Sequence, residues 1–353
     1  MCFYNFLIYV FNGNLEMWTK ECKEKGIYTV MKKWTKALGI LTLAVVTLAA
    51  CGSGDKESDK TGVSSSVKEN EVTTLTLGVM PSTDNIPLIL AHEKGFDKKH
   101  GVEIKLENFK AAKDRDAAFQ AGKVDGVSTD LVAIAIYQEA GMDVKITGNT
   151  YGQFDLVTGD DSIQSVADLK GKDVILSKKT GTEYAVTKML EKAGLKESDI
   201  NVSEVPQVPT RLELLKNKQA QAAILPEPFV TMAVADGLRV LDSTREIGIN
   251  PFVMGMPADV IDKKADAIKG MYDAYNEAVD YIKDHDKSDY IQLFIDEVGF
   301  PETLKDQITV PDYTHAEQAT DEDITSAFAW AQENDLLTKD LKPADVLSDV
   351  YFK

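Results

Sequence analysis

Thr74-Leu75-Thr76-Leu77-Gly78-Val79-Met80, then Pro81-Ser82-Thr83-Asp84-Asn85, then Ile86-Pro87-Leu88-Ile89-Leu90-Ala91-His92-Glu93-Lys94, spell a strand, a turn and a helix in succession. The first run is β-rich and apolar, the second is built of turn formers, and the third carries a long apolar face. The strand is expected over Thr74–Met80 and the helix over Asn85–Lys94. The same alternation continues: strand Val102–Phe109, helix Lys113–Ala121, strand Asp125–Thr129, helix Leu131–Ala140, strand Val144–Thr150. After the turn Ser165-Val166-Ala167-Asp168-Leu169-Lys170-Gly171-Lys172 a second series follows. It reads as strand Asp173–Ser177, helix Thr182–Ala193, strand Asn201–Val205, helix Thr210–Asn217, strand Ala222–Leu225, helix Phe229–Asp236 and strand Leu238–Leu241. Strands alternating with helices predict an α/β fold with largely parallel sheets. From Ile247 the chain is mostly helical, over Lys263–His285, Ser288–Asp296, Glu317–Asn334 and Pro343–Val350. No internal sequence repeat is visible. The expected architecture is two α/β lobes, each a mostly parallel sheet flanked by helices and joined by two crossing segments. Residues 73–156 and 247–353 form lobe 1 and residues 157–246 lobe 2. The crossings are expected near Phe154–Thr158 and Ile247–Met254.

The chain ahead of these lobes has a different character. Met31-Lys32-Lys33-Trp34-Thr35-Lys36, the apolar run Ala37–Thr47 and Leu48-Ala49-Ala50-Cys51-Gly52 form a basic segment, an apolar segment and a small-residue cleavage site, which is a secretory signal. The apolar run is too short to span a bilayer and is followed by Gly, Ser, Asp and Lys. Residues 1–30 carry aromatics, Glu16, Glu21, Glu24 and two cysteines, which do not fit a signal, so the start is expected at Met31 with residues 31–50 as the signal peptide. Residues 51–72 are Ser, Lys, Glu, Asp, Gly and Thr with few apolar side chains, a flexible tether that cannot offset its chain entropy by burial.

Composition narrows the partners. The 353 residues carry net charge −18; the first 50 hold six Lys and three Glu, leaving −21 on the remainder. That balance argues against nucleic acid and against an electrostatic grip on anionic lipid. Four Arg (Arg115, Arg211, Arg239, Arg245) stand among 39 basic residues, a bias that fits an AT-rich genome and a Gram-positive host. Past the cleavage site Cys51 is the last cysteine, so no disulfide is available and the core alone must hold the fold.

Several phrases resemble the nitrate/sulfonate/taurine/thiamine-precursor solute-binding family. They are Leu77-Gly78-Val79-Met80-Pro81, Pro87-Leu88-Ile89-Leu90-Ala91, Lys94-Gly95-Phe96, Gly101-Val102-Glu103-Ile104, Ala121-Gly122-Lys123-Val124-Asp125, Asp168-Leu169-Lys170-Gly171-Lys172 and Pro226-Glu227-Pro228. Trp330 and Glu333-Asn334-Asp335-Leu336-Leu337 match the family's closing helix, and the resemblance runs from Thr73 to Leu341. Leu48-Ala49-Ala50-Cys51 resembles the lipobox of bacterial lipoproteins. The resemblance implies a type II periplasmic-binding-protein fold, two lobes around a cleft that deliver a small solute to the permease and ATPase subunits of an ABC importer. It implies a diacylated (palmitate-type) Cys51 as membrane anchor, a monomer on the outer face of the cytoplasmic membrane, and no cofactor or metal. A fungal branch of this fold that makes the thiamine pyrimidine carries a Cys/His-rich motif, and this chain has no cysteine after Cys51.

In open α/β sheets ligands meet the loops at the carboxyl ends of strands. Here these are Pro81-Ser82-Thr83-Asp84-Asn85, Ser128-Thr129-Asp130, Asn149-Thr150-Tyr151, Lys179-Thr180-Gly181-Thr182-Glu183-Tyr184 and Pro226-Glu227-Pro228. Candidate ligand contacts are Thr83, Asp84, Asn85, Ser128, Thr129, Asp130, Tyr151, Gly181, Thr182, Glu183, Tyr184 and Glu227. Asp84 and Asp130 suit helix caps as well as a cleft wall. Gly181-Thr182 at a helix start suits an anion. Tyr151 and Tyr184 suit stacking on a planar ligand or covering a hinge, and Glu227 suits a ligand or a brace for the crossing segments. Hydroxyls accompanied by four carboxylates favour a solute that donates hydrogen bonds, an amine-bearing heterocycle such as a thiamine pyrimidine precursor or a zwitterion, over a simple anion such as nitrate, with a sulfonate/taurine-like solute as the alternative. An enzyme is disfavoured. His92, His100, His285 and His315 are scattered, with no metal spacing, Gly-x-Ser-x-Gly or phosphate loop. A surface lipoprotein that senses without transport is the third alternative.

Overall fold

The computed structural model describes residues 72–352. The signal segment, Cys51 and the tether lie outside the described residues. Two five-stranded sheets organise the rest. The first unit runs β1 (Thr73–Val79), α1 (Ile86–Glu93), β2 (Val102–Asn108), α2 (Ala112–Gln120), β3 (Gly126–Asp130), α3 (Leu131–Glu139) and β4 (Val144–Asn149). The chain then enters the second sheet as β5 (Asp155–Thr158). It continues through β6 (Asp173–Leu176), α4 (Gly181–Lys192), β7 (Asn201–Glu204), α5 (Val208–Lys216), β8 (Ala222–Leu225), α6 (Phe229–Ala235) and β9 (Arg239–Ser243). It returns as β10 (Phe252–Pro257) and ends in the helices α7 (Ala258–Asp284) and α8 (Asp321–Glu333), with short turns between and after them.

The sheets share one plan. Their orders are β2-β1-β3-β10-β4 and β7-β6-β8-β5-β9. In each, four strands run parallel and one strand, β10 or β5, is inserted antiparallel between the third and the last. Of the segments read from sequence as crossings, Phe154–Thr158 is therefore mostly strand β5 and the last three residues of Ile247–Met254 open β10, and the crossings themselves are the residues 150–154 and 244–251. The reason is burial. Leu156, Val157, Val253 and Met254 are all but sealed from solvent, and backbone at that depth must be paired in a ladder.

A structural repeat, unseen in sequence, relates the two units. Thr76 N–H donates to Asp125 Oδ2 and Asp125 N–H to Thr76 O; Asp173 and Gln221 exchange the same pair, with Gln221 Oε1 as acceptor. Arg115 Nη1 donates to Ser128 O at 2.9 Å, and Arg211 Nη1 to Ile224 O at 3.1 Å. Phe109 N–H reaches Val79 O as Val205 N–H reaches Leu176 O. The turns after α2 and α5 both need a left-handed residue, supplied by Gly122 (φ 65°) in one and by Lys218 (φ 56°) in the other.

Side chains follow the strand period. Leu75, Leu77, Val79, Met254 and Met256 face α1 and α7, while Val127, Val144, Ile146 and Val253 face α3 and α8. In the second unit Leu156, Val174, Leu176 and Ile224 pack on α4, and Val157, Ile175, Ala223 and Leu225 on α5 and α6. Strands covered on both faces explain the unbroken apolar runs such as Val174-Ile175-Leu176. Each large aliphatic side chain so sealed contributes about 1.5–3 kcal/mol. No helix among the described residues is long and apolar enough to cross a membrane.

Candidate functional site

The carboxyl ends of the parallel strands carry the turns that sequence singled out. In the first unit, the turn after β1 places Asp84 deep beneath the end of the sheet, 7% exposed. Its Oδ2 accepts from Ser128 Oγ and from Thr150 Oγ1, each at 3.2 Å. Its Oδ1 is buried and has no hydrogen-bond partner. Burial pushes the Asp84 carboxyl upward, and the hydroxyls of Ser82, Thr150 and Ser128 around it only partly offset this. Beside it lies a cavity of about 20 Å3 walled by Leu88, Met254, Met271, Tyr272 and Tyr275, with Asn149 and Thr150 at its edge. Thr83 and Asn85 flank Asp84 but serve the turn: Tyr313 Oη donates to Thr83 O at 2.5 Å, and Asn85 Nδ2 donates to Met80 O at 2.7 Å.

Asp130 ends β3 and caps α3, its Oδ1 accepting from Ala133 N–H at 3.0 Å. Its carboxyl group also lies against Gly181, the first residue of α4 in the second unit. Burial raises the Asp130 carboxyl, against the opposing charge of Arg115. Arg115 is itself buried, bonded to Asp116, Ser128 O and, through Nη2, Thr129 Oγ1 at 2.8 Å, so Thr129 serves the guanidinium. Tyr151 leans on Tyr313 with centroids 5.4 Å apart, and Arg245 lies 4.7 Å over its ring from the other unit.

The second unit uses its candidates differently. Thr182 turns back onto its own loop, bonded to Ser177 O and Thr180 Oγ1, and Glu183 Oε2 accepts Lys179 N–H at 2.5 Å. Tyr184 is 1% exposed, edge-on to Trp330 with its Oη bonded to Ser326 Oγ, so its ring binds α4 to α8. Glu227 accepts from Thr231 N–H and Thr231 Oγ1, and burial raises its carboxyl. The structure thus sets Asp84, Asn85 and Ser128 around one cavity, Asp130 against Gly181 and Tyr151 on Tyr313, and directs Thr83, Thr129, Thr182, Glu183, Tyr184 and Glu227 into local or packing bonds.

Sequence reasoning missed Asp155, Tyr275, Tyr313 and the cleft position of Arg245. Asp155 opens β5, opposite Leu225 and Ser243, at the same end of the second sheet as the Pro226-Glu227-Pro228 turn. Burial raises it to about 7, aided by Glu227 and opposed by its hydrogen bond from Gln153 and by Arg245. Its acidity in an apolar run (Phe154, Leu156, Val157) was the available signal. Tyr275 and Met271 sit on the inner face of α7, where a helical stripe reads as core.

No group of three or more His, Cys, Asp or Glu among the described residues is arranged to hold a metal ion. His92, His100 and His315 instead pair singly with Asp97, Glu277 and Asp280.

Known proteins share this architecture. A chain from Brachyspira hyodysenteriae named as a candidate ABC transporter periplasmic binding protein is 24% identical over 272 residues, covering 72% of this chain and 75% of that one. The periplasmic aliphatic sulphonate binding protein SsuA from Escherichia coli superposes with a TM-score of 0.66 at 20% identity, over 78% of this chain and 92% of SsuA. The desulfurization enzyme DSZB superposes with a TM-score of 0.57 at 16% identity, over 78% of this chain and 96% of the enzyme. Binding protein and enzyme alike use the fold, so superposition speaks for the fold alone. The NMT1-like family profile matches residues 68–295, and with most of both units inside that match, the chain belongs to the NMT1-like family.

Proposed function

We propose that this protein is the extracytoplasmic solute-binding component of an ABC importer, anchored through a lipidated Cys51, and that it captures an amine-bearing heterocycle between its two units. The observation that carries the ligand class is Asp84: a buried carboxylate with one oxygen unpartnered, no cation beside it and tyrosine walls around it. An amine or amidine N–H donor satisfies that oxygen and lowers the cost of its burial, whereas an anion raises it. Flat tyrosine faces suit a planar ring. A cavity of about 20 Å3, lined by no residue of the second unit, holds a group the size of a water or an ammonium, so it takes the amine of the solute while the ring lies outside it, towards the second unit.

His92, His100 and His315 each pair singly with a carboxylate and His285 stacks on Tyr281, which favours capture over catalysis. The kinship with a named periplasmic binding protein supports a permease and an ATPase as partners.

Calorimetric titration of the purified protein with an aminopyrimidine, taurine, an alkyl sulfonate and nitrate tests the ligand class. Heat from the aminopyrimidine, weakened in Asp84→Asn, is the expected result; binding confined to the anions refutes it. Cys51→Ala is expected to shift the protein from the membrane to the soluble fraction, and retention at the membrane refutes the anchor.

A further inference from the structure

We propose that Asp130 is a specificity-determining residue: its carboxylate occupies the place where a solute's anionic group would meet the second unit, so the cleft rejects anions. The inference rests on the cleft between the units being the ligand site.

Three features converge on this carboxylate. Asp130 Oδ1 accepts the Ala133 N–H at the start of α3, a nine-residue helix, and the carboxylate lies against Gly181 at the start of α4, a twelve-residue helix. Two helix N-termini from different units thus point at one anion. The third is Arg115, whose charge acts on Asp130 while its own hydrogen bonds go to Asp116, Ser128 and Thr129. Held by those bonds, Arg115 supplies field at this spot and no donor that could swing to a ligand.

Gly181 is what lets the carboxylate seat. A Cβ there would stand 2.6 Å from Asp130 Cγ and 2.9 Å from Oδ2, closer than real side chains approach. The glycine's backbone is not left-handed, so the requirement is room, not conformation. The start of α4 is therefore covered by a carboxylate of the same chain, and Asp84 places a second one at the same end of the sheet. A sulfonate or nitrate entering here meets like charge and finds the start of α4 covered.

The test titrates the full purified chain, wild type, Asp130→Asn and Asp130→Ala, with ethanesulfonate and with nitrate in a buffer free of sulfonates. Asparagine keeps an oxygen for the α3 cap and removes only the charge; melting temperatures verify that both variants fold. Anion affinity at least about tenfold tighter in both variants than in wild type is expected. Anion affinity equal to or weaker than wild type in folded variants overturns the proposal. Gly181→Ala, which displaces the carboxylate without removing it, gives an independent arm: anion affinity unchanged there and in Asp130→Asn also overturns it. Titration of the wild type and Asp84→Asn with an aminopyrimidine reports separately on the amine reading, which can fail while the anion result stands.

Discussion

Asp155→Asn isolates a buried charge by its pH dependence. Asp155 is 4% exposed, begins β5 and accepts a hydrogen bond from Gln153 Nε2 at 2.8 Å. Burial raises its carboxyl from 3.8 to about 7, the Glu227 carboxylate adding to the effect. Between those two values the native protein keeps a proton that the unfolded chain has released. Native stability therefore falls as pH rises through this window, and the cost is complete above pH 7. Each pH unit inside the window corresponds to about 1.4 kcal/mol, so from about pH 5.5 to 8.5 the wild type loses about 2 kcal/mol through this one group. Asparagine keeps the oxygen that Gln153 donates to and cannot ionise. Its amide hydrogens add a constant offset that does not vary with pH. Urea denaturation of both proteins at the two pH values, kept above the isoelectric range of so acidic a chain, yields the double difference directly. It should read about 2 kcal/mol in favour of the variant at the higher pH, or roughly 4–8 °C in melting temperature. A wild-type minus variant difference that is flat between the two pH values would refute a shifted carboxyl at Asp155.

Other perturbations follow from single contacts. Asp84→Asn should weaken an amine-bearing ligand by about tenfold or more, the scale of a charged hydrogen bond, measured by calorimetry; unchanged affinity removes Asp84 from the site. Arg211→Ala strips hydrogen bonds from Val205 O, Pro206 O and Ile224 O and leaves a large hole, and should cost about 3–5 kcal/mol in urea unfolding; a cost under about 1 kcal/mol would mean the carbonyls find water. Gly270→Ala places a Cβ 2.3 Å from His100 O, backbone against backbone between α7 and the turn before β2, and should lower stability by more than about 2 kcal/mol by thermal melting. Lys218→Gly relieves the left-handed lysine after α5 and should be neutral or raise stability by up to about 1 kcal/mol, whereas Gly122→Lys at the equivalent turn should lower it.

The order of strands and helices was legible because parallel strands buried on both faces stand out as apolar runs between amphipathic helices. β5 and β10 were not, for a physical reason. Asp155–Thr158 is four residues long, and its partners in β8 and β9 lie more than sixty residues away, so nothing local distinguishes a strand from a connector. The repeat was hidden because it conserves hydrogen-bonding roles and not residue types: Gln221 accepts where Asp125 accepts, and Lys218 bends where Gly122 bends. In the site, Asp84 and Ser128 were readable as polar residues at strand ends. Thr182 and Glu183 had the same appearance, yet the start of α4 takes their oxygens for its own loop. A helix N-terminus consumes nearby acceptors, and sequence does not say which acceptors are left over.

The repeat also bears on how one cleft acquires a preference. Counted from the last paired residue of the first strand, Val79 or Leu176, Asp84 and Gly181 hold equivalent positions, five residues on. Counted from the carbonyl that receives the buried arginine, Ser128 or Ile224, Asp130 and Pro226 are equivalent, two residues on. So the two positions that carry carboxylates in the first unit carry a bare backbone and a proline in the second. Glu227, which follows Pro226, is turned onto Thr231 and takes no part in the exchange. Equivalent loops of a duplicated frame thus present acceptors from one side and an amide donor from the other, and Asp130 meets Gly181 across them. With Asp130 covering that amide, the buried side-chain oxygen left without a partner is Asp84 Oδ1, and under the proposed function the solute that bridges the units is one that brings hydrogen-bond donors to it.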